Sequence, residues 1–229
     1  MIKFFAGKKF LIAAAAAGIV AFGGIGAKAE AQVSSIGLRL GYNTNTMTMP
    51  YSTFDNTLTW TRKGRFTNGG GVHAGISLNI PISEMDIAGD NYLFGICPNF
   101  LFTTKGGEVS ITYNSLFRGT YRVDAYYLDV PIPFTFKRDF GSYAVRVEIG
   151  PYVALGLFGD QKIEVSGLNL PYKESSFSKE GLSRLDVGLF YGVALEFMDT
   201  YFVSLRAGSG LTDEEVTAVY LTLGYNINF

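Results

Sequence analysis

The sequence predicts an all-β protein, an eight-stranded antiparallel up-and-down transmembrane β-barrel preceded by a cleaved signal peptide. Three observations lead to this prediction. The chain begins with a charged stretch and a short apolar run. Apolar residues then alternate with small or polar ones in eight segments, which is the two-residue period of a strand. Long and short connections alternate between these segments, as they do when one end of a barrel carries loops and the other carries tight turns.

The N-terminus has the three parts of a secretory signal peptide. Three lysines among the first nine residues precede an apolar run, and Ala27 and Ala29 form an A-x-A cleavage site at its end. A second possible site lies two residues later, so the predicted signal peptide is 1–29 or 1–31. A membrane-spanning helix is the alternative, because the run approaches about 18 residues. The Gly-rich end and the cleavage site favour removal, which leaves 33–229 as the barrel domain.

The composition of the mature chain excludes several classes of function. Removing 1–29 takes away four lysines and no acid, which leaves a net charge of −5 and no basic surface for nucleic acid. The single cysteine, Cys97, rules out an intramolecular disulfide and lies far from the cleavage site, where a lipid anchor would need it. With His73 as the one histidine, a typical zinc site is also excluded. We therefore expect no metal and no other cofactor.

The eight alternating segments are the predicted strands. In chain order they cover about 35–42, 72–80, 91–103, 127–137, 145–157, 184–197, 201–208 and 219–229. Most approach the roughly 9–11 residues that a tilted strand needs to cross a bilayer. The third is apolar on both faces, so the two-residue period defines it least. No helical period competes with the others.

The fourth segment, "YLDVPIPFTFK", contains two prolines in its middle, and each removes a ladder hydrogen bond. Residues i and i+2 of an antiparallel strand direct their backbone groups toward the same neighbour. Pro131 and Pro133 are therefore predicted to weaken one seam and leave the other intact, with Pro98 and Pro151 close by. We expect missing ladder bonds there and Asp129 turned inward to pair with a Lys or Arg.

The connections carry a second pattern. The predicted connections 43–70, 104–120, 158–183 and 209–217 are long or polar, whereas "PISEMDIAGDN", "RDFGS" and "MDT" are shorter. Short turns at one end and longer loops at the other are typical of outer-membrane barrels. An even number of strands returns both chain termini to the end that carries the turns.

The chemistry of the two strand faces separates a membrane barrel from a soluble one. The apolar face of seven strands has no charge in its central stretches, where an Arg or Lys facing lipid would cost about 2–4 kcal/mol. Aromatic residues near the strand ends are predicted to form interfacial girdles: Tyr42, Tyr127, Tyr201, Tyr225 and Phe229. The other face is small or charged, which suits a narrow interior with paired side chains. Its predicted charge network consists of Arg39, Asp129, Lys137, Arg146, Glu148, Arg184, Asp186, Glu196 and Arg206.

Four stretches carry a resemblance to a known family: "YLDVPIPF", "VEIGPYVALGLFG", "DVGLFYGVALEF" and the terminal "LTLGYNINF". They resemble the eight-stranded barrel domain of the PorT-like, porin-family outer-membrane proteins of Gram-negative bacteria, over about 33–229. Asp129 stands where this family commonly has Glu. The resemblance implies an integral outer-membrane protein with both termini in the periplasm. It also implies a terminal signal for the barrel-assembly machinery, formed here by Leu223, Tyr225, Ile227 and Phe229.

The predicted function is a non-enzymatic, monomeric structural or interaction platform with a side-chain-filled lumen, in contact with outer-membrane lipid and lipopolysaccharide. The first long connection has aromatic and cationic residues that could contact lipopolysaccharide phosphates or an envelope or secretion partner. These are Tyr51, Phe54, Trp60, Arg62, Lys63 and Arg65. The equally weighted alternative is that they pack over the barrel mouth. Three other functions remain open: a small-solute pore, a secretion-apparatus component, and an enzyme acting on lipid or peptide with a base at His73.

Overall fold

The computed structural model describes residues 33–48, 65–87, 89–113, 117–165, 168–177, 182–211 and 217–229, and the predicted signal peptide lies outside them. The described residues form one antiparallel sheet. No helix in this part of the chain is long and apolar enough to cross a membrane. In chain order the strands are β1 (Ser35–Thr48), β2 (Arg65–Ile87), β3 (Asp90–Ile96), β4 (Asn99–Tyr113), β5 (Phe117–Pro131), β6 (Phe134–Asp139), β7 (Tyr143–Val165), β8 (Leu168–Ser175), β9 (Leu185–Phe197), β10 (Tyr201–Gly210) and β11 (Thr217–Asn228).

The sheet closes on itself, because β1 pairs with β11 on one side and with β2 on the other. The strands β3 and β4 both pair with β2, so together they form one wall strand with a short interruption. In the same way β5 and β6 both pair with β7 and form one interrupted wall strand. Among the described residues, the strand β8 pairs only with β7 and is not part of the closed path of strands. The wall therefore has eight strands in up-and-down order, and the predicted fold class is confirmed.

The register of the strand pairs fixes the size of the barrel. Starting from Gly71 of β2, one complete turn along paired residues passes through Asn43, Tyr220, Arg206, Gly192, Glu148, Thr135 and Gly95 and ends at Pro81. The path returns to β2 ten residues further along the strand. With eight strands, that stagger corresponds to a strand tilt of about 40°. A barrel of this size has an interior just wide enough to be filled by side chains.

The two faces of the wall divide as the sequence predicts. Bulky apolar side chains point outward on every wall strand, and Leu40, Val193, Leu205 and Leu221 are each at least half exposed. Along β10 the burial pattern alternates residue by residue from Tyr201 to Arg206. Charged and small side chains point inward and are buried. The result is an apolar belt around a polar interior, which is the arrangement of a barrel in lipid.

The long connections are shorter than predicted, because the strands continue into them. The pair β4–β5 runs from Leu101↔Asp129 to Tyr113↔Phe117, and β7–β8 forms another hairpin from Asp160↔Ser175 to Val165↔Leu168. Only the part of a strand within the apolar belt needs an apolar outer face. The apolar alternation that defines a strand in the sequence therefore stops, while backbone pairing continues. We call this end of the barrel the hairpin end.

The opposite end, which we call the turn end, carries both chain termini of the barrel and three connections. The first turn contains Gly89 and the second contains Gly141, both with positive φ (86° and 88°), which glycine adopts without strain. In the third turn Met198 and Asp199 both have a φ of 52°. The predicted connection at 81–91 is mostly a hairpin of β2 and β3 that extends past the start of β1.

The predicted interruption at the prolines is present. The wall strand breaks between β5 and β6 at Ile132–Pro133, and its neighbour breaks between β3 and β4 at Cys97–Pro98. Ile132 N donates to Pro151 O at 2.9 Å, so the seam with β7 is kept. On the other seam Cys97 N donates to Pro133 O at 3.0 Å, but Pro133 has no N–H to donate in return.

Candidate functional site

The buried interior of the barrel is the candidate functional site. It has three layers from the turn end to the hairpin end: a cluster of arginines and acids, a group of hydroxyls and a histidine with a Lys–Asp pair, and an apolar layer. Because every inward position on a strand is two residues from the next, each strand contributes one side chain to several layers.

Glu148 of β7 is the centre of the charged layer. Arg206 of β10 contacts both of its carboxylate oxygens, with Nε at 2.8 Å from Oε2 and Nη2 at 3.0 Å from Oε1. Arg146 Nε donates to Oε1 at 2.9 Å. All three residues are at most 4% exposed. One carboxylate therefore joins two guanidinium groups on two strands, and charge pairing offsets part of the desolvation cost.

A second acid continues the network toward the turn end. Glu196 of β9 pairs with Arg146 through Oε1. Its other oxygen lies 2.9 Å from Lys137 Nζ, and the same ammonium group lies 2.9 Å from Asp199 Oδ1 in the turn between β9 and β10. The chain of charges thus runs without a break from Arg206 in the middle of the lumen to Asp199 at the rim.

The middle of the lumen holds a lysine that aromatic rings surround. Lys105 Nζ lies 3.1 Å from Asp129 Oδ1, and it lies over the rings of Tyr127 and Tyr152 at 4.6 and 5.8 Å from their centroids. Tyr220 Oη donates to the other oxygen of Asp129 at 3.2 Å. As predicted, Asp129 is turned inward and paired with a cation.

An apolar layer fills the lumen at the hairpin end. Its buried members include Val123, Ala125, Tyr152, Ala154, Phe190, Ala218 and Tyr220. Residues that follow β8 complete it from above: Leu182 is 3% exposed, and the ring of Phe177 packs edge-on against Tyr127 with centroids 5.5 Å apart. Ser176 fixes this segment by donating from Oγ to the carbonyl of Asp124 at 2.8 Å. This layer covers the charged lumen from the hairpin end.

Eight of the nine predicted network residues face the interior, and Arg184 does not. Arg184 immediately precedes β9 at the hairpin end and is exposed. Its Nη1 donates to the carbonyls of Gly156 and Leu157, and its guanidinium lies over the Phe177 ring. The prediction for Arg184 is wrong, because above the apolar belt an inward strand position opens onto the rim instead of the lumen.

Two other positions differ from the sequence analysis. Tyr127 is 2% exposed and points into the lumen, so it is not part of an interfacial girdle. Its two-residue spacing from Asp129 already indicates that face. Lys105 falls in a stretch predicted to be a loop and was therefore missed. Its only sequence signal was its position two residues after Thr103 on what is in fact a continuous strand.

His73 lies in the buried lumen and not at a membrane surface. Its Nε2 is 2.9 Å from Thr222 Oγ1, and its ring packs edge-on against Tyr220. No hydrogen bond from His73 to a Ser, Asp or Glu occurs among the described residues. The geometry that the enzyme hypothesis requires is therefore not formed at this histidine.

The remaining predicted sites lie on the outer surface or outside the described residues. Leu223, Tyr225, Ile227 and Phe229 are all exposed on the outer face of the last strand and its end, at 64%, 43%, 42% and 77%. Tyr51, Phe54, Trp60, Arg62 and Lys63 lie outside the described residues, and Arg65 is the first residue of β2.

A cavity of about 350 Å³ opens at the turn end of the lumen. Charged side chains from Lys137, Arg146, Glu196 and Asp199 line it, together with the amide of Asn79. Ile80, Leu93 and Ile96 are also among the residues that line it. The lumen is thus filled toward the hairpin end and hollow toward the turn end.

Comparison with known proteins gives a family but no close relative. Residues 30–215 match the family described as "Outer membrane protein beta-barrel domain". No curated protein sequence matches this chain.

Several solved structures have a related architecture. The outer membrane enzyme PagL is 14% identical with a TM-score of 0.43, covering 86% of this chain and 100% of its own. The attachment invasion locus protein Ail of Yersinia pestis is 12% identical with a TM-score of 0.37 and the same coverages. Neisserial surface protein A is 11% identical with a TM-score of 0.39, covering 85% of this chain and 97% of its own. At these values no property of those proteins transfers to this chain.

Proposed function

This chain belongs to the outer membrane protein β-barrel domain family, and from that premise we propose that it is a closed, non-enzymatic structural or interaction platform of the Gram-negative outer membrane. The turn end faces the periplasm, so both termini of the barrel are periplasmic, and the paired hairpins project outward. The protein acts as a monomer. Its surroundings are outer-membrane lipid and lipopolysaccharide, and the barrel-assembly machinery inserts it through the exposed aromatic end of β11.

The observation that carries this proposal is the filled lumen. Paired charges of Glu148, Arg146 and Arg206 fill the charged layer, and the layer around Phe190 and Leu182 closes the hairpin end. A small-solute pore would need an open path through both layers. An enzyme would need a base beside a nucleophile or acid near the lipid surface, whereas His73 is buried with Thr222 as its partner. Neither alternative has an observation of its own in its favour.

A narrower assignment within the family is also part of the proposal. We place the chain with the PorT-like, porin-family barrels, on the strength of "YLDVPIPF" with its two prolines and "VEIGPYVALGLFG". Both stretches contribute to the seam around Ile132, where Pro151 accepts the hydrogen bond of the Ile132 amide. A role as a component of an envelope or secretion assembly is consistent with this placement.

Conductance measurement tests the closed lumen. The mature protein, refolded and inserted into planar bilayers, is expected to leave the conductance at background, while a general porin inserted in parallel provides the positive control. Insertion of the closed barrel is verified by its resistance to SDS without boiling. Steady channel steps in verified bilayers would contradict the platform proposal and support a pore.

The interaction half of the proposal needs a separate experiment. Proteins crosslinked to the full chain in intact outer membranes are compared with those crosslinked to a variant that lacks 48–66. The variant is expected to fold, because the deletion takes only the connection between β1 and β2 and the outermost residues of these strands at the hairpin end, and to lose its crosslinked partners. A folded variant with an unchanged crosslinking pattern would remove the first connection from the interaction surface.

A further inference from the structure

The charged layer contains more hydrogen-bond donors than its acids can accept. Four described cations face this part of the lumen, Arg39, Lys137, Arg146 and Arg206, against the two buried acids Glu148 and Glu196 and the rim acid Asp199. Arg206 is bound on two nitrogens by Glu148. Lys137 is bound by both Glu196 and Asp199. Arg146 is paired with both Glu148 and Glu196, so the one surplus positive charge lies with Arg39.

Arg39 is the side chain that the acids leave uncompensated. It is 3% exposed, and no carboxylate among the described residues forms an ion pair with it. Its Nη2 is 3.5 Å from the Cys97 sulfur, and its guanidinium lies 4.6 Å from the centroid of the Phe202 ring. Within the described part of the chain, Nε and Nη1 have no hydrogen-bond partner. A buried guanidinium without a counter-charge carries a large desolvation cost, so an anion beside it would be strongly favoured.

Arg146 connects this surplus to the cavity at the turn end. Its guanidinium also lies against Phe202, 5.7 Å from the ring centroid, so Arg39 and Arg146 share one aromatic neighbour. Arg146 lines the cavity, and none of the residues that the structure describes forms a hydrogen bond with its Nη2. Asn79 lines the same cavity and accepts a hydrogen bond from the thiol of Cys97, which in turn contacts Arg39. Arg146 therefore lies at the cavity itself, whereas Arg39 is not a lining residue and lies behind the cavity wall, in contact with Cys97, the hydrogen-bond donor to Asn79.

We propose that this cavity binds one small oxyanion, a carboxylate or an inorganic phosphate, at its inner end, through Arg146 Nη2 and the N–H groups of Arg39. Guanidinium groups bind carboxylate and phosphate oxygens with strong, charge-assisted hydrogen bonds. The acids of the wall do not occupy these donors, because Glu196 is already engaged by Arg146 Nη1 and Lys137. A cavity of about 350 Å³ has room for such an ion and for an attached small group.

A folding-stability titration tests the site. The refolded mature protein in detergent micelles is unfolded with urea while sodium formate or sodium phosphate replaces sodium chloride at constant ionic strength and pH. A ligand that binds only the folded state at a hundred times its Kd raises the folding equilibrium constant about 100-fold. We expect a saturable rise with formate, which would assign a carboxylate, or with phosphate, which would assign phosphate. Equal stability in all three salts would overturn the proposal.

Two variants test whether the stabilisation by the oxyanion depends on Arg39. Arg39→Met removes the surplus charge and keeps most of the side-chain volume, so the response to the oxyanion should fall at least tenfold in apparent affinity. Arg138→Met is the matched control, because Arg138 lies at the same end but is paired with Asp90 and is partly exposed. An equal response in Arg39→Met and the wild type would contradict the assignment.

A direct measurement on the unmodified chain covers the case in which Arg39→Met does not fold. Equilibrium dialysis of the refolded wild type with radiolabelled formate or phosphate should give one bound ion per chain. Binding of several ions without saturation, or of none, would refute the site regardless of the behaviour of the variants.

Discussion

The Glu148 side chain illustrates how one buried residue can hold two strands of the barrel wall together. Its carboxylate accepts from Arg206 across the lumen and from Arg146 two residues away on the same strand. Replacing a buried pair by apolar residues is often neutral. Removing one partner alone is costly, because the other charge stays buried. A substitution of Glu148 is therefore expected to destabilise the barrel when both arginines are kept.

The substitution Glu148→Gln is expected to lower the free energy of unfolding by about 3–5 kcal/mol, since it keeps the shape of the side chain, leaves the Arg206 guanidinium without a carboxylate and leaves Arg146 with Glu196 alone. Urea unfolding in detergent micelles, followed by circular dichroism, measures the change. Glu84→Gln is the control, because Glu84 has the same chemistry but is exposed in the β2–β3 hairpin. If the two substitutions cost the same, the Glu148 network does not stabilise the barrel.

On the lipid-facing surface, in contrast to the lumen, a charged side chain is expected to destabilise the barrel. Leu205 lies in the middle of β10, is 55% exposed, and pairs with Val193 and Leu221, which also point outward. Arg at such a position near the bilayer midplane is expected to destabilise the folded barrel by about 2–4 kcal/mol in lipid vesicles. Met198→Arg, in the 78% exposed turn after β9, should change stability little. A tolerated Leu205→Arg would mean that this surface does not face lipid.

At the residue scale the sequence predicts which face a side chain lies on better than which neighbour it meets. The two-residue period places Glu148, Glu196 and Arg206 inside, and the structure agrees. It could not give their partners, because partners depend on the ten-residue stagger of the closed wall. Arg184 is an exception to this rule. The two-residue alternation predicts that its side chain faces the lumen, but at this position the barrel wall has already ended at its rim.

At the scale of the elements, the boundaries predicted from apolar alternation mark the membrane belt and not the ends of the strands. The strand β7 continues from Tyr143 to Val165, well past the last apolar alternation at Leu157. Past the belt no apolar outer face is needed, and the strand is defined by its backbone pairing with β5 and β8. Sequence periodicity contains no signal for that pairing, which explains why the hairpins were predicted as loops.

The proline seam is the element whose local chemistry the sequence did predict. Pro98, Pro131 and Pro133 remove amide donors from adjacent wall strands, and Leu78 N donates to Pro98 O without a bond in return. Backbone amides there are expected to be less protected from exchange than those of β9 and β10, which pair without a register shift.

Restoring one donor tests this explanation of the seam. Pro98→Val supplies an N–H opposite Leu78, and a net hydrogen bond of about 1 kcal/mol should slow local opening about fivefold. Hydrogen exchange measured by mass spectrometry over 76–80 and 97–101 reports the change, while peptides from β9 and β10 serve as internal controls. Faster exchange at the seam in the variant would show that the proline ring, and not its missing N–H, governs the local stability.

At the scale of the whole molecule, the closed wall places the three interior layers in a fixed order along one axis. The apolar layer lies under the hairpin end, and the cavity opens at the turn end. Closure also leaves the β2–β3 hairpin projecting past the start of β1, because the wall strands are staggered. The two ends therefore differ in charge, shape and openness, so the direction of insertion determines which end meets the periplasm.

Cysteine labelling tests the proposed orientation on intact cells. Ser175→Cys introduces an exposed thiol at the end of β8 on the hairpin end, and Met85→Cys does so in the β2–β3 hairpin at the turn end. A membrane-impermeant maleimide should label the first variant in intact cells and the second only after the outer membrane is opened. Wild-type Cys97, which is 1% exposed, provides the unlabelled background in the same chain. The reverse labelling pattern would place the hairpin end in the periplasm, and the oxyanion cavity at the turn end would then open to the outside of the cell.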